Sequence, residues 1–229
     1  MNPPEDERID RTPDRSQSMR IQLLFAKTES MRFTGHLDLH KALERNFRRA
    51  GLPLAYSQGF NPRPKLVLAS PLPLGYTSQA ELAEAWLNES VPVQEILESL
   101  IERAPPGIDH LQIEPVPADS AKLPNRLASA EYQARLEESI PKLNENITSL
   151  LGMDSLLWER GEKRYDLRPM IEALALSAEN GTQHPIVVMR LAARPGATGR
   201  PDDVLDALGI PPRSAQVHRT RLVLLGDPP

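Results

Sequence analysis

His36, Asp38 and His40 are residue types that ligate metals, and they stand two apart in the chain. On a helix, His36 and His40 share a face while Asp38 points away, so three-point coordination fails. The same residues also suit a helix start, where polar groups satisfy free backbone amides and an acid is favoured by the dipole. A second pattern follows at once. Lys41, Arg45 and Arg48 recur at i, i+4 and i+7, with Arg32 before them and Arg49 after. A linear array of cations can track successive phosphates and release counterions, and arginine adds planar, bidentate donors to phosphate oxygens. The plain alternative is the solvated face of an amphipathic helix.

The loop Tyr56-Ser-Gln-Gly-Phe-Asn-Pro-Arg-Pro-Lys65 is more distinctive. Gly59 permits an unusual backbone angle, and Pro62 and Pro64 stiffen the loop. Arg63 and Lys65 extend the cationic set. Tyr56 or Phe60 can stack on an exposed base, while Gln58 and Asn61 offer both donors and acceptors. A turn that packs Phe60 into the core fits the same residues equally well.

Further along, Asp166 and Arg168 bracket a junction. They either pair or leave Arg168 to reach an anion, although Pro169 at a helix start favours a structural role. Arg219 and Arg221 alternate along the last strand and so share one sheet face, where they either widen a basic surface or meet solvent. His110, His184 and His218 stand alone. No nucleophile–base pair, phosphate loop or dinucleotide glycine pattern occurs, so an enzyme built around His36, Asp38, His40 and Gln58 is the weakest of the functional readings.

Composition bounds what can hold these residues. The 229 residues contain 23 prolines and no cysteine, which excludes disulfides, thiolate metal sites and cysteine nucleophiles. The formal net charge is -4, yet nine cations and three acids between Arg20 and Lys65 give that segment +6. Charge is therefore segregated by region. No stretch is long and apolar enough to span a membrane, and the first 18 residues lack a signal core, so a cytoplasmic protein is expected. Met19 is a possible alternative start. Asn88-Glu-Ser90, Asn146-Ile-Thr148 and Asn180-Gly-Thr182 match the glycosylation acceptor pattern, which means nothing without secretion.

The elements follow from periodicity. A polar, disordered tail is expected over 1–18. An α+β domain over 19–116 opens on a strand from Arg20 and continues into a helix with the apolar stripe Leu39, Leu43, Phe47 and Ala50, stopped by Gly51. Short strands at 54–57 and 65–69, a strand at 81–87, a helix at 93–103 and a strand near 108–113 complete it. A linker over 117–127 leads to a second α+β domain over 128–225. That domain has a strand at 130–136, a helix over 139–151, a hairpin about Gly161-Glu162, a helix from Pro169 to Leu176, a strand at 186–191, a helix at 201–208 and a final strand, with a tail over 226–229. Each half reads roughly strand–helix–strand–strand–helix–strand. That predicts two ferredoxin-like, split βαβ sandwiches, antiparallel-rich sheets with helices on one face.

Three blocks, Arg32-Phe-Thr-Gly-His-Leu-Asp-Leu-His40, Arg48-Arg-Ala-Gly-Leu-Pro53 and Tyr56 to Lys65, together resemble the uncharacterised radical-SAM-associated domain family, found fused behind or encoded beside cobalamin-binding-type radical SAM proteins. Ser70-Pro-Leu-Pro-Leu-Gly75, Asp166-Leu-Arg-Pro169 and Arg219-Thr-Arg-Leu222 continue the likeness, which spans about Arg20 to Leu225. The resemblance implies a stand-alone partner for a radical SAM protein and no assigned reaction. Without cysteine, this chain cannot itself hold the iron–sulfur cluster that the resemblance implies for such a partner. The expectation is a non-enzymatic accessory module, without a cofactor of its own, that binds RNA or an RNA–protein substrate. The alternative is a docking subunit that touches only protein.

Overall fold

A computed structural model describes residues 18–177 and 184–227. The expected disordered tail therefore lies outside the described residues except for Ser18, as do the Asn180 acceptor pattern and the last two residues of the C-terminal tail. The chain is an α+β protein with a mostly antiparallel sheet.

The first half runs β1 (Met19–Lys27), α1 (His36–Arg49), β2 (Leu66–Leu68), β3 (Thr77–Leu87), α2 (Val93–Glu102) and β4 (Ile108–Pro115). A short α3 (Leu123–Arg126) lies within the expected linker. The second half runs β5 (Leu127–Leu136), α4 (Leu143–Leu151), the hairpin β6 (Leu157–Arg160) and β7 (Lys163–Asp166), β8 (Ile171–Leu176), β9 (Ile186–Arg194), β10 (Ala197–Thr198), α5 (Pro201–Ala207) and β11 (Ala215–Leu224).

Among the described residues, nine strands form one sheet. The first half is ordered β4-β1-β3-β2 and the second β11-β5-β9-β8, so each half places its first strand between its last and its third. The halves meet where β11 lies parallel to β3, with His218 opposite Thr77 and Arg219 opposite Ser78. Alternation along the strands sends one phase of side chains toward the helices. Ile21, Leu23 and Phe25 of β1 pack with Leu39, Leu43 and Phe47 of α1 in one core, and a larger second core runs from Leu72 and Leu82 through Tyr132 to Leu222. Each of the three large α1 side chains is at most 2% exposed, and burying each contributes roughly 2 kcal/mol.

Three expectations are corrected. Residues 169–176 do not form a helix. A 3₁₀ turn over Arg168–Met170 leads into strand β8, paired with β9. A register irregularity between Ile171 and Ala173 lets Ile171 and Leu174, three apart, both face inward, which imitates helical spacing. Helix α4 begins at Leu143 rather than Ser139, and Lys142 before it holds a left-handed φ of 58°. Over 54–57 there are only isolated bridges, Leu54 to Leu87 and Tyr56 to Pro64.

Gly107 shows how tightly the first half closes. Its φ is +96°, its carbonyl accepts from the Thr28 amide, and a Cβ there would sit 2.7 Å from Met31 Cγ and 2.9 Å from Met31 N. Gly107→Ala is expected to cost about 2 kcal/mol, from backbone strain and from overlap with main chain that cannot swing aside. A urea-unfolding midpoint compared with wild type measures it.

Candidate nucleic-acid interface

Helix α1 forms because its apolar residues fall on one stripe and Gly51, at φ +70°, ends it. Its flanks are tied to the fold by side chains. The buried Asn46 donates to the Leu100 carbonyl at 3.1 Å, and the His40 ring Nε2 lies 2.9 Å from the Leu66 carbonyl of β2. Opposite the stripe, Lys41, Arg45, Arg48 and Arg49 are exposed. Lys41 has Asp38 at 3.6 Å, both exposed, a pair worth little in water. Arg49 donates to the Arg103 carbonyl at 2.9 Å. Among the described residues, Arg45 and Arg48 have no carboxylate at ion-pair distance.

The 56–65 loop is closed at its base by backbone bonds. Lys65 N donates to Ala55 O at 2.7 Å and Ser57 N to Arg63 O at 2.8 Å, and Arg63 N donates to Ser57 Oγ at 3.0 Å. Gly59, at φ +129°, turns the tip. Phe60 does not pack into the core; it is fully exposed at 105%, and Tyr56 is 41% exposed. Gln58, Asn61, Arg63 and Lys65 are exposed beside them. The loop runs straight into Leu66, whose carbonyl meets His40, so its base is fastened to the middle of α1. That bond links the end of the loop to α1.

Not every cation of the segment reaches that surface. Arg20 is 7% exposed; it donates to Glu84 at 2.7 Å and lies over the Trp86 ring at 5.1 Å. Lys27 is fully buried and donates to the carbonyls of Tyr76 and Arg32 at 3.1 and 3.2 Å. Burial pushes its pKa down. Arg32 is partly buried and supports the local fold, donating through Nε to the Gly75 carbonyl at 2.8 Å and resting over Phe33 at 5.6 Å.

His36, Asp38 and His40 are not brought together. Asp38 is 72% exposed on Lys41, while His36 is half-buried, its pKa lowered first by burial and then by His40. Asp166 Oδ1 accepts from the amides of Leu156 and Arg168, which holds its carboxyl below the usual range, the Leu156 bond leading. Arg168 donates to the carbonyls of Ile171 and Leu151. Both residues thus close the turn after the hairpin.

Arg219 and Arg221 do not share a face. A register irregularity between them sets Arg219 opposite Tyr132 and Arg221 opposite Glu131, on opposite sides of the sheet. Arg219 is fully buried and holds Glu81 through Nε at 2.9 Å and Nη2 at 2.6 Å. Burial opposes its charge, but Glu81 and Tyr132 together more than offset this and its pKa is raised. Glu81 and Glu84, the latter also held by Arg126, were missed from the sequence. The available signal was Glu81 itself, which alternates in phase with Ala83, Ala85 and Leu87 and so marks a carboxylate on the core side of a strand.

The fold and these exposed residues define a class: an α+β protein of two similarly ordered halves that presents a basic helix and an exposed aromatic loop. The chain belongs to the family described as "Uncharacterized protein conserved in bacteria (DUF2344)", whose family model matches residues 20–201. No curated protein matches it. Among solved structures it is similar to "Crystal Structure of an Unknown Protein from Galdieria sulphuraria", at 12% identity over 91% of this chain and 100% of that one, with a TM-score of 0.25.

Proposed function

We propose that this protein binds RNA, free or within an RNA–protein substrate, through α1 and the 56–65 loop, and presents it to a radical SAM partner in the cytoplasm without carrying the chemistry itself. The observation that supports this is the company Phe60 keeps. A fully exposed aromatic ring sits on a loop with Arg63 and Lys65, the loop's end is tied to the helix that carries Arg45 and Arg48, and the described residues hold no carboxylate at ion-pair distance from any of these four cations. Cations that are not neutralised internally can release counterions from phosphates, and an exposed ring offers a base a stacking surface worth ~1–3 kcal/mol. The radical SAM partner rests on the motif resemblance and on the absence of cysteine. We read the halves, 19–116 and 128–225, as two split βαβ sandwiches; the matching strand orders support this.

One observation favours docking to protein alone. Phe33, Leu37 and Leu74 are 78%, 74% and 64% exposed near the start of α1, and exposed apolar patches mark protein contacts.

Fluorescence anisotropy with a single-stranded RNA, titrated between about 50 and 200 mM salt, separates the two. Arg45→Glu with Arg48→Glu is expected to weaken binding about tenfold and flatten the salt dependence by about 0.7 in log–log slope per lost phosphate contact. Phe60→Ala should weaken binding with the slope unchanged. Affinity and slope both indifferent to the charge reversals would leave the protein-docking reading.

A further inference from the structure

Where the halves meet, a cavity of about 520 Å3 opens, and it shares no residue with the helix–loop surface. One wall is the extended strap Ser70–Pro73; the other is the turn from Arg194 through Thr198 to Pro201 that enters α5. Tyr132 stands between them.

Both walls are fixed in place. Arg219 donates from Nη2 to the Ser70 carbonyl and from Nη1 to the Pro71 carbonyl, each at 3.4 Å. Just past the strap, the Tyr76 hydroxyl donates to Asp202 of α5. The strap is therefore pinned to the second half at both ends. On the other side a Cβ at Gly199 would lie 3.1 Å from both Leu191 Cβ and the Met170 carbonyl, so that turn is seated directly on the sheet. A hollow kept open by walls that cannot collapse is a preformed site, and its volume falls in the range of small-molecule pockets, roughly 300–1,000 Å3.

Its lining specifies the occupant. The rings of Pro71, Pro195 and Pro201 and of Tyr132 offer flat apolar faces. At the mouth stand Arg194 and Arg200, both exposed. Arg194 reaches Glu172 only at 3.8 Å, and Arg200 has no carboxylate at ion-pair distance among the described residues. We propose that this cavity binds a small organic anion: a flat apolar body between the prolines and Tyr132, and one anionic group held by Arg194 and Arg200.

Two fluorescent probes with the same rings test it. Anilinonaphthalene sulfonate carries one anionic group, and phenylnaphthylamine carries none. The folded wild-type protein is expected to bind the sulfonate saturably at a single site. Arg194→Ala with Arg200→Ala should raise its Kd about tenfold or more and leave the neutral probe unchanged. Thr198→Trp, an exposed position on the lining, should fill the hollow and abolish both. Urea midpoints equal to wild type show that the variants are folded. Non-saturable binding to wild type, sulfonate affinity within about twofold of wild type in the arginine variant, or either probe still bound in Thr198→Trp would each overturn the assignment.

Discussion

Arg219→Ala is expected to destabilise the protein by about 3–5 kcal/mol, the cost of leaving a buried carboxylate without its counter-charge. Glu81 is 2% exposed and sits in the seam between the halves, where water cannot reach it to replace the guanidinium. Lys27 is close enough to feel Glu81, but its hydrogen bonds go to main-chain carbonyls. The same truncation releases the carbonyls of Ser70 and Pro71. Glu81→Ala should cost a similar amount, since it strands Arg219 instead. The joint replacement Arg219→Met with Glu81→Leu is expected to lie closer to wild type than either single variant, because apolar side chains of similar volume remove both desolvation penalties together. Urea denaturation of the four proteins measures the three losses against wild type. A single-variant loss below about 1 kcal/mol would mean that the pair is hydrated and the seam is not the dry junction described here.

Much of the architecture could be read from the chain before any coordinates. The α+β class, the stripe of α1, its stop at Gly51 and the β6–β7 hairpin all follow from periodicity and turn chemistry acting over a few residues. What could not be read depended on pairings between distant segments. Strand β8 looked helical because one register irregularity gave two strand residues a helical spacing. Arg219 and Arg221 looked co-facial because period-two alternation assumes an unbroken ladder, and the ladder against β5 breaks between them. Arg20 and Lys27 counted toward a basic surface because their acceptors, Glu84 and the Tyr76 carbonyl, lie 64 and 49 residues away.

The candidate surface divides along the same line. Which face of α1 carries Lys41, Arg45 and Arg48 is a matter of helix geometry and was legible from spacing alone. Whether Phe60 points inward or outward was not, because glycine and proline fix a turn but not the direction of its tip. The net effect of folding is to sort the cations. Those in phase with a core, Arg20, Lys27 and Arg219, are neutralised or capped internally, and those on the outer helix face and the loop are left to solvent. A surface charge that survives this sorting is a better guide to an anionic partner than the segment's formal +6.

Acidification from pH 7 to pH 4 is expected to remove roughly 3 kcal/mol of stability through His110 alone. The ring is 6% exposed, and its Nε2 lies 2.6 Å from Asn46 Oδ1. Asn46 uses its amide NH2 on the Leu100 carbonyl, so its oxygen faces the ring and His110 Nε2–H must be the donor. That assigns the bare nitrogen to Nδ1, which is buried and has no hydrogen-bond partner. A proton added there would bring a charge and a donor into a site that answers neither. Burial pushes the pKa down to about 4, against a smaller upward pull from Asp109. The unfolded chain takes up its proton near 6.5 while the native state resists until about 4, so the unfolded state binds more protons across that window. The contribution is complete above the unfolded value and is lost as pH falls through the window. His36 and His218, both also lowered by burial, act in the same sense. His110→Gln keeps an amide donor for Asn46 and cannot titrate. Its stability should therefore fall less than wild type's between pH 7 and pH 5, and identical pH profiles for the two proteins would show that protonated His110 finds an acceptor or escapes to water without unfolding the chain.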